Sequence, residues 1–447
     1  MVTIAEPLIH QYDVPGPRYT SYPPVPSWSS DFPAERWTDA LRAVPSQDPF
    51  ALYAHFPFCA TRCLYCGCNA IPTQRRDKVD AYLDDVAHEL ALLTDALGWG
   101  RPVHQMHWGG GTPNLLTGAQ TERALRLLTD AFRFEPGAEL SVECDPRVVT
   151  DGQLQHLRSL GFSRVSFGVQ DLDDHVQRAI GRIQPVALVR DVVQQARRAG
   201  FAQINLDLIY GLPHQTRASV DATIDEVLAL HPDRIASFGY AHLPNQRAHQ
   251  RAIPLEALPG TVDRVELFRH IVDRFTDAGY AWIGFDHFAR QDDPLAVAQR
   301  EGRLHRNFMG YTTETGPHLL GIGMSSISEV NGVFAQNAAT LGEWRERVQA
   351  GALPLVRGHV LTDDDRLRGG LIKQLLCNLE LPRASVPESL APALDALEAT
   401  ARDGLVTVQS ERVAVTELGR YFLRNLCLPF DAYLPPRTTD RVFSRTL

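Results

Sequence analysis

The chain has 447 residues, 44% hydrophobic and 22% charged, with a formal net charge of -9. That length buries a large core and holds two or more domains, and the acidic balance excludes nonspecific nucleic-acid binding as the main role. No stretch is apolar enough to span a bilayer and no secretory signal opens the chain, so the cytoplasm is the expected location.

The first 49 residues are rich in Pro, Tyr and Ser. Around Arg18-Tyr19-Thr20-Ser21-Tyr22-Pro23-Pro24 there is no periodicity, which predicts an extended or irregular arm. Its tyrosines and Arg18 are groups that could cover a substrate. A short helix is expected at 34–43. Then a rhythm of strand and helix begins. Strands are expected at 50–55, 103–108, 139–143, 164–169, 204–210 and 234–240, with helices between them. A helix at 262–279 and a strand at 281–285 continue the pattern. Such alternation predicts a parallel sheet with helices outside, closed into a full or partial barrel.

Residues 285–313 interrupt the rhythm and read as a binding loop, with an amphipathic helix at 294–301. Residues 319–328 (LLGIGMSSIS) read as a buried turn approaching a ligand or another backbone. A domain boundary is expected near Gly358. Thr362 then N-caps a helix whose first turn is acidic. Helices and two short strands within 404–415 suggest a winged-helix shape, without the basic face that nucleic acid requires.

The stretch Tyr53–Ala70, YAHFPFCATRCLYCGCNA, holds four of the seven cysteines. Clustered cysteines in a reducing compartment read as metal ligands rather than disulfides. Thiolates take zinc, copper(I) or iron–sulfur clusters. Cys59, Cys63 and Cys66, spaced C-x-x-x-C-x-x-C, could wrap a compact cluster and leave one metal position open. Cys68 would offer zinc a fourth ligand, so both readings stand at this point. The cysteine loop, the turn Gly109-Gly110-Gly111-Thr112, Glu143, Gln170, Asp207 and Ala241 all fall at the carboxyl ends of expected strands. Taken singly, Glu143 could cap a turn and Asp207 could be a satisfied buried carboxylate. In barrels that end carries the active site, and the shared placement points there.

With Tyr65 before the third cysteine, the loop resembles that of the radical S-adenosylmethionine (SAM) enzymes. The match extends further. YTSYP, YAHFPFCATRCLYCGCN, HWGGGTPNLL, VECDPR, SFGVQD, NLDLIYGLP, YAHLP, DHFA, LHRNF and GYTT occur in that order. Together they resemble the oxygen-independent coproporphyrinogen III oxidase (dehydrogenase) family of haem biosynthesis, over nearly the whole chain.

The resemblance implies an α/β fold: a partial TIM-type (β/α)6 radical SAM barrel over 50–358. An N-terminal arm, 1–49, would cover the active site, and 359–447 would form a mostly helical, winged-helix-like domain. It implies oxidative decarboxylation of two propionates of coproporphyrinogen III to vinyl groups, giving protoporphyrinogen IX. A [4Fe-4S] cluster would pass an electron to SAM, whose 5′-deoxyadenosyl radical takes a hydrogen atom from the propionate β-carbon. An electron donor and an electron acceptor are required. Cys59, Cys63 and Cys66 would hold three irons, and Cys68 would be the family's extra, non-ligating cysteine. Tyr53, Gly110, Glu143 and Ile327 match contacts to a first SAM. Tyr65, Gly111, Thr112, Gln170, Arg182, Asp207 and Ala241 match those to a second. Met309 stands where the pattern has a polar Gln. Charge matching offers Arg18, Arg290 and Arg306 to the propionates. A monomer is expected, with no nucleic-acid or membrane partner. Radical-SAM haem chaperones share the barrel and are the alternative reading; they typically lack the last cysteine and the YTSYP arm.

Overall fold

The computed structural model describes residues 2–313, 316, 318–434 and 443–447. Six strands follow one another with helices between: β1 Phe50–Phe56, β2 Arg101–Gly110, β3 Phe132–Cys144, β4 Arg164–Gln170, β5 Gln203–Tyr210 and β6 Arg234–Gly239. They lie side by side in chain order and every neighbouring pair is parallel. The partial (β/α)6 barrel is therefore present.

Strands β4 and β5 show how the sequence builds it. Along RVSFGVQ and QINLDLIY, burial alternates. Val165, Phe167, Val169, Ile204, Leu206 and Leu208 are buried in the core. The intervening Ser166, Asn205 and Asp207 share the other face: Ser166 Oγ donates to Asp207 Oδ2 at 2.9 Å and Asn205 Nδ2 to Asp207 Oδ1 at 2.7 Å. Parallel strands covered on both faces read as continuous apolar runs. Here the period of two survives because the inner face lines a polar lumen.

The sheet is wider than the rhythm predicts. Residues 281–285 do not continue the parallel series. β7 Tyr280–Ile283 pairs antiparallel with β8 His287–Arg290, which pairs antiparallel with β6. Three residues join β7 to β8, too few for a parallel crossover. Within 285–313 the helix Pro294–Arg300 forms as expected, but the following stretch is a small hairpin, β9 His305–Asn307 and β10 Gly310–Thr312. Met309 lies in its turn, with its N–H on Asn307 Oδ1. Residues 319–328 are not simply a turn. They begin with β11 Leu319–Ile322, which runs parallel to β1 on the side away from β2. All four residues of β11 are buried, and a short apolar run can be a strand covered on both faces. β12 Ile327–Val330, β13 Val333–Asn337 and β14 Leu355–Val360 extend the sheet as an antiparallel meander.

The first 49 residues are not wholly irregular, since Glu6–Tyr12 and Ala34–Arg42 are helices. Tyr19 and Tyr22 are buried, and Tyr19 Oη donates to Asp431 at 3.0 Å. They fix the arm against the C-terminal region rather than offering free rings. Gly358 lies inside β14, so the chain leaves the sheet after Val360. Thr362 N-caps Asp363–Asn378 through a capping box with Asp365. The two strands expected at 404–415, β16 Val406–Val408 and β17 Arg412–Val415, gain a third partner, β15 Glu380–Pro382. Among the described residues no helix is long and apolar enough to cross a membrane.

Candidate active site

The carboxyl ends of β1 to β6 surround a cavity of about 610 Å³. Cys59, Cys63, Cys66 and Cys68 lie along one side. Gly110, Gly111, Thr112 and Glu143 follow, then Gln170, Arg182, Asp207 and Ala241, and Tyr65 joins them from the cysteine loop. Tyr53 and Ile327 do not reach the wall. Tyr53 is hydrogen-bonded to His55 Nδ1 at 3.1 Å and stacks on His107. Ile327 opens β12, its carbonyl against Gly321, which is in register with Tyr53. A larger groove of about 750 Å³, lined by Arg76, Leu116 and His156, contains no cysteine.

Two glycines let the loop after β2 close on the cysteine loop. Gly110 has φ +114°, which favours glycine, and a Cβ there would meet the His55 ring at 2.6 Å. At Gly111 a Cβ would come within 2.7 Å of the Pro57 backbone. Thr112 follows and donates its hydroxyl to Cys59 Sγ at 3.3 Å.

Every thiol of the C-x-x-x-C-x-x-C motif receives a hydrogen bond. Besides Thr112 on Cys59, Arg147 Nη2 and Arg182 Nη1 approach Cys63 Sγ at 3.5 and 3.6 Å, and the Cys68 N–H approaches Cys66 Sγ at 3.4 Å. Donors of this kind favour thiolate over thiol. The Cys68 side chain also donates to Cys66 and brings its thiol down to about 6. Burial pushes the Cys59 thiol up to about 11. Among the described residues no three His, Cys, Asp or Glu side chains converge on a single metal position. An iron–sulfur cluster takes one thiolate per iron, so thiols spread along a wall suit it.

The two arginines on Cys63 are held by Asp145. Arg147 Nη2 reaches Asp145 at 2.6 Å, and Arg182 reaches both carboxylate oxygens at 3.1 and 3.2 Å. Burial works against the Asp145 charge, but Arg147 and Arg182 outweigh it and hold the carboxyl below its usual range. Arg147 was legible only as part of the VECDPR string; its place two residues after Asp145 on a turn was the available signal.

Glu143 is held by His107 Nε2 at 3.2 Å and by the Gly110 N–H at 3.2 Å. Burial opposes its charge, yet these partners keep its carboxyl below the usual range, so it stays ionised. Asp207 is different. Burial, then the charge of Glu143, pushes it up to about 6 despite Ser166 and Asn205. The lumen thus holds one firmly ionised carboxylate and one that takes up a proton near pH 6. Gln170 ends β4 at φ +66°, a strained conformation of the kind that collects at functional sites. Gln250 was not singled out from the sequence; its amide donates to the carbonyls of Tyr65 at 2.8 Å and Ala241 at 3.2 Å, tying the cysteine loop to the end of β6. Arg290 faces solvent and pairs with Asp292, so it is removed from the cavity arginines.

Residues 53–227 match the family model of the Radical SAM superfamily. The oxygen-independent coproporphyrinogen III oxidase of Escherichia coli is 43% identical over 98% of both chains. That of Synechocystis is 40% identical, over all of this chain and 98% of its own length. This chain belongs to the oxygen-independent coproporphyrinogen III oxidase family. A solved family structure, HemN of Escherichia coli, described as a radical SAM enzyme, superposes with a TM-score of 0.89, covering 93% of this chain and 98% of that one. Family membership implies an iron–sulfur cluster and SAM, and the thiols on one cavity wall fit that requirement.

Proposed function

We propose that this chain carries out the oxygen-independent oxidation of coproporphyrinogen III, decarboxylating two propionates to vinyl groups to give protoporphyrinogen IX. One observation carries the reading: Cys59, Cys63 and Cys66 face the same cavity as Glu143, Asp207 and the backbone of Gly110–Thr112. The cluster and SAM, when bound, supply electron transfer and hydrogen-atom abstraction; the protein's own share is binding, orientation and shielding.

Cys59, Cys63 and Cys66 are the ligands, and Cys68 tunes Cys66 without ligating. Glu143, kept ionised by His107 and Gly110, offers a carboxylate to the ammonium or ribose hydroxyls of a first SAM. Tyr53 and Ile327 support that site from behind, Tyr53 through the His55 and His107 rings. Gly111 and Thr112, which line the cavity, offer their own backbone to the ligand. Arg182 has its guanidinium committed to Asp145, Cys63 and the Gly168 carbonyl. A second SAM bounded by Tyr65, Gln170, Arg182, Asp207 and Ala241 would therefore meet Arg182 as the edge of an ion-pair network. The barrel walls keep water from the reacting carbon. The arm of residues 1–49 supplies Gly16 and Arg18 to the cavity rim, which supports its role as a cover; the catalytic domain runs from 50 through the end of β14 at Val360, two residues past the expected 358, and the helical domain follows. Free thiols among the cysteines fit a reducing cytoplasm, and the net charge of -9 argues against a nucleic-acid partner.

The test is an anaerobic assay of reconstituted protein with SAM, a one-electron reductant, coproporphyrinogen III and an electron acceptor. Two vinyl groups and two CO2 per substrate are expected. Stoichiometric tetrapyrrole binding with no CO2 overturns the reading in favour of a chaperone.

A further inference from the structure

Arg62, Arg147 and Arg182 line the cavity on its cysteine side, and Arg18 lines it beside Gly239 at the end of β6. Behind Gly239 lies a second group of guanidiniums: a Cβ on that glycine would come within 3.5 Å of Arg264 Nη2. Arg264, Arg420 and Arg424 line a separate small pocket of about 40 Å³ together with Tyr210 and Phe285. That is about the room one water or one carboxylate group takes. Arg18 and Arg306 stand beside it: Arg18 Nη2 donates to Gly239 O at 3.0 Å and Arg306 Nη1 to Arg18 O at 2.7 Å.

None of these five arginines makes an ion pair with a carboxylate among the described residues; all their hydrogen bonds end on backbone carbonyls or a serine hydroxyl. Arg264 donates to Tyr240 O, Arg420 to Trp282 O and Gly284 O, and Arg424 to Gly16 O and Pro17 O. The Nε atoms of Arg264, Arg306 and Arg420 are buried without a partner. Arg306 and Arg424 are themselves buried, at 7% and 8% exposure. Burial, and next the charge of Arg18, works against the charge of Arg424. Asp286, which feels both Arg306 and Arg18, already accepts from His287 Nδ1 at 2.7 Å. A fold that gathers five guanidiniums with no carboxylate in hydrogen-bond contact gains when an anion arrives, because poorly compensated buried charge is costly. Guanidinium also matches carboxylate geometry better than any other side chain.

We propose that Arg264, Arg420 and Arg424, with Arg18 and Arg306, bind the non-reacting carboxylates of the substrate and so turn its reacting side chain toward the cysteine end. The assignment rests on the reading of the substrate as a tetracarboxylate. The small pocket takes a single carboxylate tip; Arg18 and Arg306 meet a second at the rim. Of the three arginines that charge matching alone offers, Arg18 and Arg306 stay, Arg290 leaves, and Arg264, Arg420 and Arg424 join.

The experiment uses the reconstituted enzyme and two fluorescent probes, coproporphyrin III and its tetramethyl ester. Arg264→Gln and Arg18→Gln are each expected to weaken coproporphyrin III binding about tenfold, leaving ester binding unchanged. With coproporphyrinogen III, KM rises by a similar factor and kcat falls less. Arg264→Lys recovers part of the affinity. If both variants bind the acid as tightly as the parent, or lose acid and ester equally, the assignment is overturned. The parent enzyme's own CO2 release separates this from the broader reading: an active parent with unaffected variants sinks only the arginine site, and an inactive parent sinks the function.

Discussion

Arg182 Nη1 lies 3.6 Å from the Cys63 sulfur and 3.2 Å from Asp145 Oδ2, so a single guanidinium branch joins a thiol of the cysteine motif to a buried carboxylate. With Arg147 on the other side of Asp145, the ion pairs that order the turn after β3 also order the cysteine loop. The positive charge next to Cys63 belongs to the scaffold and precedes any ligand.

Replacing Arg182 by Gln removes that branch. Opening a buried pair costs roughly 3–5 kcal/mol when the partner is left alone. Arg147 keeps Asp145 paired here, so a loss of about 2 kcal/mol is expected, the range of a charged hydrogen bond. Urea unfolding of the metal-free protein measures it. Iron and sulfide per chain after reconstitution should fall in the same variant. Unchanged stability and full iron content would refute the network's role.

Cys59→Ser, Cys63→Ser and Cys66→Ser should each abolish the brown cluster absorbance and leave less than one iron per chain. Cys68→Ser should keep iron and sulfide near the parent level, since its thiol hydrogen-bonds to Cys66. Loss of iron in Cys68→Ser equal to that in Cys66→Ser would make Cys68 a ligand and overturn the assignment.

Asp207 gives a pH signature. Its folded pKa, about 6, lies above the ordinary 3.8. Between these values the folded state holds more protons than the unfolded one, so stability falls as pH rises from about 4 to 6 and is flat above. The loss is about 3 kcal/mol. Asp207→Asn, neutral at every pH, should remove that slope from urea midpoints of the metal-free protein measured from pH 4 to 7. A parent and variant with parallel profiles would show that Asp207 titrates normally.

Gly111→Ala should destabilise by about 1–3 kcal/mol, the usual cost of forcing atoms into a packed site, because the new Cβ meets the Pro57 and Phe58 backbone. Gly67→Ala is the control, with nothing within 4 Å of its Cβ, and its unfolding midpoint should match the parent. Equal midpoints for both variants would mean the two loops do not press on each other.

The barrel was legible because six apolar strand signals alternate with helical periodicity, and β4 and β5 even show their lumen faces in the letters. Local periodicity carries no information on partner choice, which is why β7 read as another parallel strand, β8 as part of a loop and β11 as a turn. The motif residues were legible as a set, and twelve of the fourteen singled out line the cavity. Tyr53 and Ile327 stand behind it, because the register of β1 against β2 and β11 decides which side chain reaches the lumen. Arg264, Arg420 and Arg424 were not legible at all. They come from three helices, one of them far from the other two in sequence, and only the docking of the C-terminal region beside Phe285 brings them together.

The pairing of β1 with β11 sets an order of events during synthesis. The cysteine loop is among the early segments to be made, yet the strand it hangs from stays an open edge until Leu319–Ile322 has been translated. Closing so long a loop comes late on entropic grounds. The order of synthesis therefore leaves the cysteine loop on a sheet edge that only a much later part of the chain completes.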